Sequence, residues 1–361
     1  MKNESISEYE GITFVAIYIW GAVYNTNAMA MESGWLIVMI STIISIPILI
    51  MYSEIIDSFQ EKDFFDILEI IFGNLLSKII IALYIFYFFF LGATILRNFM
   101  EYVKITTLSR TPQVVTGAIF ALMCAYGVKK GIESLANWAK IFFIICIIII
   151  SPIILFMLTR NPHNVSLLPI FYNGMRETWK SIYSFIMFPI TELIVFLPIL
   201  NLVKDTKMKR NVLIKGIFIA TIVLTVSNIG QTFMLGGLNY SQSYFPTYLA
   251  MRRIRLGDFI QRIETAVSAT LTISVFVELC ICLIATSKGL SKLFNFKDYK
   301  NIVTPVAVLT VKLSFILYAS SMELLQWNNN IWSYYALPFQ IIFPVITFII
   351  IKIKSNYRNS S

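Results

Sequence analysis

The sequence predicts an all-α integral membrane protein with about ten transmembrane helices. Roughly ten separate apolar runs, each about twenty residues long, fill the chain, and each can cross a hydrocarbon layer about 30 Å thick as an α-helix. Composition agrees, because 57% of the 361 residues are apolar and only 14% are charged, against about 25% charged in soluble domains. The runs are too long and too uniformly apolar for barrel strands, so helices must satisfy the backbone in lipid.

The predicted spans follow the apolar runs in chain order. They cover about 12–29, 35–57, 79–103, 112–128, 137–158, 180–203, 211–237, 262–287, 303–322 and 331–352. The first ten residues hold one Lys and three Glu, and no small-residue cleavage site precedes Trp20. They do not match a secretory signal, so we expect the first span to stay in the protein.

Basic residues are distributed unevenly between the two ends of these spans. Eighteen of the 29 Lys and Arg residues fall on one side and nine on the other, while two lie inside spans. Because cytoplasmic loops carry an excess of Lys and Arg, the richer side and both termini are predicted to be cytoplasmic. Lys207 and Lys297 then lie in cytoplasmic loops, and His163 and Tyr248 in external ones. The net charge of +9 reflects this sidedness, which indicates a lipid bilayer and not nucleic acid as the partner.

The spans divide evenly into two halves within one transmembrane domain. Because five crossings turn the second half over, residues 1–158 and 180–352 are predicted to form two inverted five-helix repeats. In this architecture the first helix of each half is interrupted near the bilayer midplane. Freed backbone groups and helix ends then face the substrate.

Two positions match the expected interruptions of the first and sixth helices. Gly21 and Ala22 lie near the middle of the first span, and Pro189 lies near the middle of the sixth. Gly is also ordinary in membrane helices, and Pro can kink a helix without breaking it, so a plain kink stays open as the alternative. A ligand between broken helices would also touch spans three and eight. The predicted lining residues are Gly21, Ala22, Leu91, Phe185, Thr191 and Thr272.

Four ionisable residues inside the spans are candidates for coupling or ionic roles, since a charge in lipid must be paired, neutralised or hydrated. Glu192 lies near the bilayer centre, three residues after Pro189, and is predicted to be a coupling residue. Arg97 and Glu101 lie one turn apart on the third span and match a local pair. Glu278 on the eighth span is a candidate interhelical partner. A purely structural ion pair between helices is the alternative for each.

Sequence signals for catalysis are absent. The single His and the four Cys residues show neither a metal-binding spacing nor a disulfide framework. The sequence also contains no Ser/His/Asp set and no Gly-rich phosphate loop. It therefore predicts no cofactor, no metal and no enzymatic activity.

One external segment carries a pattern more specific than hydropathy. It reads Phe245-Pro246-Thr247-Tyr248, then Arg252-Arg253-Ile254, then Gly257-Asp258-Phe259-Ile260-Gln261-Arg262-Ile263-Glu264. With Ile6-Ser7, Glu192-Leu193, Pro198 and the ten-span layout, it resembles the spore germination permease family. These are the membrane B subunits of nutrient germinant receptors, relatives of amino acid/polyamine/organocation transporters. The resemblance implies that the two inverted repeats adopt a LeuT-like fold.

The resemblance also implies a location, a ligand and partners. It implies a multi-pass protein of the spore inner membrane that binds a small nutrient, often an amino acid, beside an A-type membrane subunit and a C-type lipoprotein. Two functions remain open. One is a sensor whose ligand shifts a conformational equilibrium read by the partners, with ion release as one outcome. The other is a secondary transporter that couples an amino acid to a cation.

Overall fold

A computed structural model describes residues 4–24, 33–59, 62–159, 167, 174–203, 205–254 and 263–359. In these ranges the chain is helical apart from turns and one isolated parallel bridge between Ile6 and Val203. Seven helical stretches among the described residues are long and apolar enough to cross a membrane. The predicted all-α membrane fold is confirmed, while the count of ten spans stays a prediction.

Five α-helices make up the first half of the chain. They are α1 (Glu8–Trp20), α2 (Gly34–Asp57), α3 (Phe64–Thr106), α4 (Gln113–Lys130) and α5 (Ile132–Thr159). The second half opens with a segment that changes its winding. It consists of α6 (Met175–Phe185), a π turn (Ile186–Ile190), a 3-10 turn (Thr191–Phe196) and α7 (Leu197–Leu200).

The remaining helices follow in chain order. They are α8 (Thr206–Leu235), α9 (Gly237–Gln242), α10 (Pro246–Arg252), α11 (Ile263–Phe294), α12 (Val303–Ile316), α13 (Ser321–Gln326), α14 (Trp332–Leu337) and α15 (Phe343–Asn359). A short 3-10 helix covers Tyr299–Asn301. The π turns Trp327–Ile331 and Pro338–Ile342 join α13 to α14 and α14 to α15, so these pieces form one last segment.

The first helix starts at a strong cap and loses its α-helical winding where the sequence predicts an interruption. Ser7 and Glu10 form a capping box, in which the Glu10 carboxylate accepts from the Ser7 N–H at 2.9 Å. The α-helical winding of α1 ends at Trp20, and a 3-10 turn (Gly21–Tyr24) follows. Residues 25–32 lie outside the described ranges.

The sixth segment is broken at the predicted proline. Phe188 has an extended backbone conformation (φ −140°, ψ 120°) inside the π turn that contains Pro189. Pro189 has no N–H to donate, so the regular hydrogen-bond ladder cannot run through this point. The break favours an interruption over a plain kink, and it places Thr191 and Glu192 at the start of the following 3-10 turn.

The predicted boundaries of the ninth and tenth spans are wrong. Helix α12 ends at Ile316 and not near residue 322, and the last segment begins at Ser321 and not near residue 331. The Ser320 hydroxyl accepts from the Glu323 N–H at 3.2 Å, and the Glu323 carboxylate accepts from the Ala319 N–H at 2.7 Å. These bonds cap a new helix start, a signal that hydropathy alone does not detect.

Lysines of the predicted cytoplasmic set gather at one end of the bundle. Six of them contact a carboxylate, with N–O distances of 2.6 to 2.9 Å, in the pairs Lys140–Glu10, Lys209–Asp57, Lys215–Glu8, Lys292–Asp66, Lys292–Glu69, Lys300–Glu4 and Lys352–Glu54. The hydrogen bond from Lys215 lowers the pKa of Glu8. The exposed pairs among them contribute little stability, whereas the Lys209–Asp57 pair is largely buried, with side chains 7% and 12% exposed. The basic asymmetry predicts that this end faces the cytoplasm, and this orientation stays a prediction.

This arrangement gives a testable topology. We expect cysteines at the exposed positions Lys207 and Lys297 to react with a membrane-impermeant maleimide only after permeabilisation, and one at Arg252 to react in intact cells. Helix α8 has 30 residues, about 45 Å of helix, which separates residues 207 and 252 across the membrane. The four native Cys residues are replaced first. Labelling of positions 207 and 252 from the same side would contradict the topology. His163 lies outside the described residues.

Candidate ligand-binding site

Helix α11 is the element around which the candidate site is built. It packs extensively along α3 and also contacts α1, the 3-10 turn that follows α1, and the 3-10 turn and α7 of the sixth segment. These elements correspond to predicted spans one, three, six and eight. The structure therefore brings together the four spans that the sequence places around the ligand.

The end of α1 meets α11 at a carboxyl group. Gly21 lies so close to Glu278 that a Cβ atom on this glycine would overlap the Glu278 Oε1 atom. Ala22 beside it is buried. The Oε1 atom of Glu278 is also buried, and it has no hydrogen-bond partner within the described ranges. Glycine at position 21 is therefore what lets this carboxyl group reach the end of α1.

A second carboxyl group approaches the same region from the sixth segment. Glu192 is 3% exposed and lies within electrostatic range of Glu278 and close to the Trp332 side chain. Two acidic groups from different helices thus share one buried region. Like charges in such surroundings are costly unless a proton or a cation neutralises them.

Tyr18 on α1 completes this group, and we name Tyr18, Glu192 and Glu278 the carboxyl cluster. The Tyr18 ring packs edge-on against Phe196 of the sixth segment, with ring centroids 5.3 Å apart. Its side chain is 2% exposed, and its hydroxyl has no hydrogen-bond partner in the described part of the chain. Tyr18 lies within electrostatic range of both acidic residues. The three residues therefore lie on elements that contact one another where both interrupted helices meet α11.

Thr191 lies in a buried hydrogen-bond network that the sequence did not reveal. Its hydroxyl donates to Gln340 Oε1 at 2.7 Å, and Gln340 Nε2 donates to the Tyr87 hydroxyl at 2.7 Å. The Tyr52 hydroxyl donates to the carbonyl oxygens of Thr191 at 3.2 Å and Gln340 at 2.5 Å. The network connects α2, α3, the sixth segment and the last segment. The available signal was Gln340, a polar residue inside an apolar span and two positions after Pro338.

The other predicted lining residues lie on the helices that correspond to their predicted spans, but they differ in burial and in their position along those helices. Leu91 is buried on α3, and a Cβ on the adjacent Gly92 would lie 3.1 Å from Cys282 of α11. Phe185 is buried at the end of α6, just before the break. Thr272 donates to the Ser268 carbonyl at 2.9 Å. It lies six residues before Glu278, about 9 Å along the helix axis. Their roles as ligand contacts stay predictions.

Arg97 and Glu101 form the local pair expected from their spacing. Arg97 Nη2 lies 3.0 Å from Glu101 Oε1, with side chains 7% and 3% exposed. The Ser321 hydroxyl donates to Glu101 Oε2 at 2.9 Å, and the guanidinium lies over the Phe315 ring, 5.6 Å from its centroid. These contacts fit a structural tie between α3, α12 and α13. Glu278, the other candidate for an ion pair between helices, lies on α11, and its carboxyl group meets Gly21 at the end of α1.

The Thr191 network predicts a stability effect. We expect Gln340→Leu to lower the midpoint of thermal unfolding in nanodiscs, because Leu has a similar size but removes the hydrogen bonds of Gln340 to the Thr191 and Tyr87 hydroxyls. The Thr191 hydroxyl keeps the Ile186 carbonyl as an acceptor at 2.9 Å, whereas the buried Tyr87 hydroxyl loses its donor. Each buried polar group left unsatisfied costs about 1–3 kcal/mol. The control Gln326→Leu, at an exposed site on α13, should leave the midpoint unchanged. Equal midpoints for both variants would show that the network contributes no stability.

The fold is that of a multi-pass membrane protein with a LeuT-like arrangement of helices. A solved structure described as the inward-facing conformation of Mhp1 matches it with a TM-score of 0.56 and 15% sequence identity, over 92% of this chain and 73% of that one. Residues 5–323 match the family described as spore germination protein. The chain belongs to the spore germination permease family.

Two relatives from Bacillus subtilis (strain 168) match almost the whole chain. Spore germination protein KB is 26% identical over 380 residues, which cover 100% of this chain and 98% of the relative. The putative spore germination protein YfkT is 24% identical over 361 residues, which cover 98% of each. The predicted family is confirmed, and the chain is a germinant-receptor-type membrane subunit. Residues 255–262 of the segment that carried the resemblance lie outside the described ranges.

Proposed function

We propose that this chain binds a nutrient, an amino acid, and acts as the sensing membrane subunit of a spore germination receptor in the spore inner membrane, with both termini in the cytoplasm. The observation that supports the proposal is the carboxyl cluster, which lies where the end of α1 and the break in the sixth segment both meet α11. In proteins built from inverted repeats, interrupted helices at this place face the substrate.

Ligand binding acts by population shift. A ligand held between α1, the sixth segment and α11 stabilises one arrangement of these elements relative to another, and only that difference in affinity can move the equilibrium. The start of α1 is tied to neighbouring helices through Glu8 and Glu10, which pair with Lys215 and Lys140. A shift of α1 therefore also displaces the neighbouring helices that these two ion pairs connect to its start. An A-type membrane subunit and a C-type lipoprotein read the change, with ion release as a later step.

The test is a nutrient screen in spores. Spores with the gene deleted, and deleted spores that carry it again, are exposed to amino acids, sugars and nucleosides while loss of optical density is followed. We expect the response to at least one amino acid to disappear on deletion and to return with the gene. Immunoblots of spore membranes verify the abundance of the restored protein. Unchanged responses to every nutrient after deletion would contradict the proposal.

A secondary transporter is the second candidate. The similar structure of Mhp1 is described as inward-facing, a term for a central site open to one side of the membrane. The measurement that separates the candidates is uptake of a radiolabelled amino acid into proteoliposomes that contain this chain alone and carry a cation gradient. Accumulation above the level of empty liposomes would favour the transporter. Binding without accumulation would favour the sensor.

A further inference from the structure

We propose that one face of α12 is a docking surface for a transmembrane helix of another protein, a helix that carries an Asp or Glu carboxylate in the middle of its span. The surface consists of the exposed residues Val308, Leu309, Lys312 and Ile316, and we name it the Lys312 face. The occupant is the A-type membrane subunit, and this choice of partner rests on the proposed function. The face itself is defined by a lysine that points outward from the middle of an apolar span.

Lys312 lies in the middle of the predicted ninth span. It is the only charged residue between Lys300 and Glu323, twelve positions after the first and eleven before the second. Helix α12 (Val303–Ile316) is apolar apart from this lysine and three Thr or Ser residues. Lys312 is therefore placed at a depth where water does not reach a helix surface that faces lipid.

The Lys312 face points away from the rest of the protein. Val308, Leu309 and Ile316 are 54%, 52% and 68% exposed, and Lys312 is exposed between them. Their spacing of three and four residues places them on one side of the helix. The buried residues of α12 lie on the opposite side, where the helix packs against α3, α4 and α11, and they are Val303, Val306, Ala307, Thr310 and Ser314. Lys312 thus meets either lipid or another protein.

The charge of Lys312 is not balanced within the described part of the chain. None of the eight ion pairs found there involves Lys312. Lys215 of α8, which is also exposed, differs in this respect because it contacts the Glu8 carboxylate at 2.6 Å. A charged side chain within a membrane span is costly, and such residues are almost always paired. A partner helix would supply the counter-charge that this chain does not.

Snorkelling to the membrane surface is the alternative for Lys312. The surface lies about 15 Å from the bilayer centre, half of the hydrocarbon thickness, whereas the lysine stem has only four carbons. The Cα–Cβ bond of a helical residue also tilts toward the helix N-terminus. At Lys312 this direction leads back along the apolar length of α12 and away from its nearer end at Ile316. Snorkelling is therefore unfavourable here, and a carboxylate at the same depth is the better complement.

A second copy of this chain does not provide that carboxylate. Glu192 is buried, and the Glu278 carboxyl meets Gly21 inside the bundle. Glu101 is buried and paired with Arg97. A twofold contact through the Lys312 face would in addition bring two Lys312 side chains together, because the same patch is used on both subunits. The charge pattern of the described residues therefore favours a different protein as the occupant.

Photocrosslinking tests whether the A-type subunit lies on this face. p-Benzoylphenylalanine replaces Leu309, or Phe218 as the control, in spores that carry an epitope-tagged A-type subunit. Phe218 is 63% exposed on α8. We expect position 309, and not position 218, to crosslink to the A-type subunit. The crosslinked peptide should lie within about two helical turns of an Asp or Glu in a membrane span.

Variants at position 312 test whether the charge holds the partner. We expect Lys312→Gln to reduce at least tenfold the amount of A-type subunit that copurifies with this chain, and Lys312→Arg, which keeps the charge, to retain it. The control Lys180→Gln, at an exposed site on α6, should match the wild type. Lys312→Glu combined with replacement of the partner's carboxylate residue by Lys should restore copurification. Immunoblots of spore membranes record the abundance of each variant.

The outcomes separate this proposal from the proposed function. Wild-type recovery of the A-type subunit with Lys312→Gln would assign Lys312 to snorkelling in lipid and overturn the proposal. Crosslinks from position 309 only to lipid, to a second copy or to a helix without a carboxylate would also overturn it. Should Lys312→Gln fail to accumulate, photocrosslinking in the chain with Lys312 intact still decides.

The nutrient screen gives an independent result. If deletion of the gene abolishes a nutrient response but the A-type subunit does not dock on the Lys312 face, the surface is wrong and the sensing function stands. If docking depends on Lys312 but no nutrient acts through the chain, the sensing function falls and the surface stands.

Discussion

Gly21→Leu should abolish the nutrient response while the protein still folds and reaches the membrane. The Cβ of any larger residue at position 21 overlaps the Glu278 carboxyl oxygen, so Leu must push this carboxyl away from the end of α1 and fill its place. The displaced atom is the end of a flexible side chain and not backbone, so the fold can accommodate the change. The expected result is a loss of response of at least a hundredfold in nutrient concentration, with Gly21→Ala intermediate.

Gly117 offers a matched control for this prediction. A Cβ on Gly117 of α4 would also meet the flexible end of a buried side chain, the Met100 sulfur, but away from the carboxyl cluster. Gly117→Ala should therefore leave the dose response unchanged while imposing a similar adjustment. Optical density records the response, and immunoblots of spore membranes record abundance. A wild-type dose response for Gly21→Leu at normal abundance would contradict a role of Gly21 in ligand binding.

Much of the fold follows from one-dimensional signals. Apolar runs long enough to span lipid predict the helices, Gly21 and Pro189 predict where two of them lose regular winding, and the one-turn spacing of Arg97 and Glu101 predicts their ion pair. Each of these signals lies within a short stretch of chain. Local sequence is therefore sufficient to detect them.

Other features depend on contacts between distant parts of the chain. Nothing near Glu278 in the sequence indicates that its carboxyl meets Gly21, because the two residues are separated by 257 positions. Gln340 lies 253 positions from its partner Tyr87 and 149 positions from Thr191, and a single polar residue in an apolar span does not say which helices it joins. The start of α13 at Ser321 was missed for another reason. Hydropathy averages over the few polar residues that stop one helix and cap the next.

Glu192→Gln should remove the nutrient response without destabilising the protein. Gln keeps the size and hydrogen-bonding capacity of Glu but removes the charge. Glu192 lies within range of a second acidic residue, Glu278, and is in no ion pair found among the described residues. Loss of its charge therefore relieves repulsion and leaves no buried cation behind. We expect an unchanged or higher midpoint of thermal unfolding together with a response reduced at least a hundredfold.

Glu101→Gln provides the contrast that distinguishes a coupling residue from a structural ion. Its partner Arg97 would stay buried at 7% side-chain exposure without its carboxylate, and breaking a buried pair in this way costs about 3–5 kcal/mol. Glu101→Gln should therefore lower the unfolding midpoint or the abundance, whereas Glu192→Gln should change the response alone. Both variants are measured in nanodiscs for stability and in spores for dose dependence and rate. If Glu192→Gln spores contain normal amounts of the protein and respond like the wild type, the charge at position 192 has no coupling role, and its carboxyl belongs to the packing of the sixth segment.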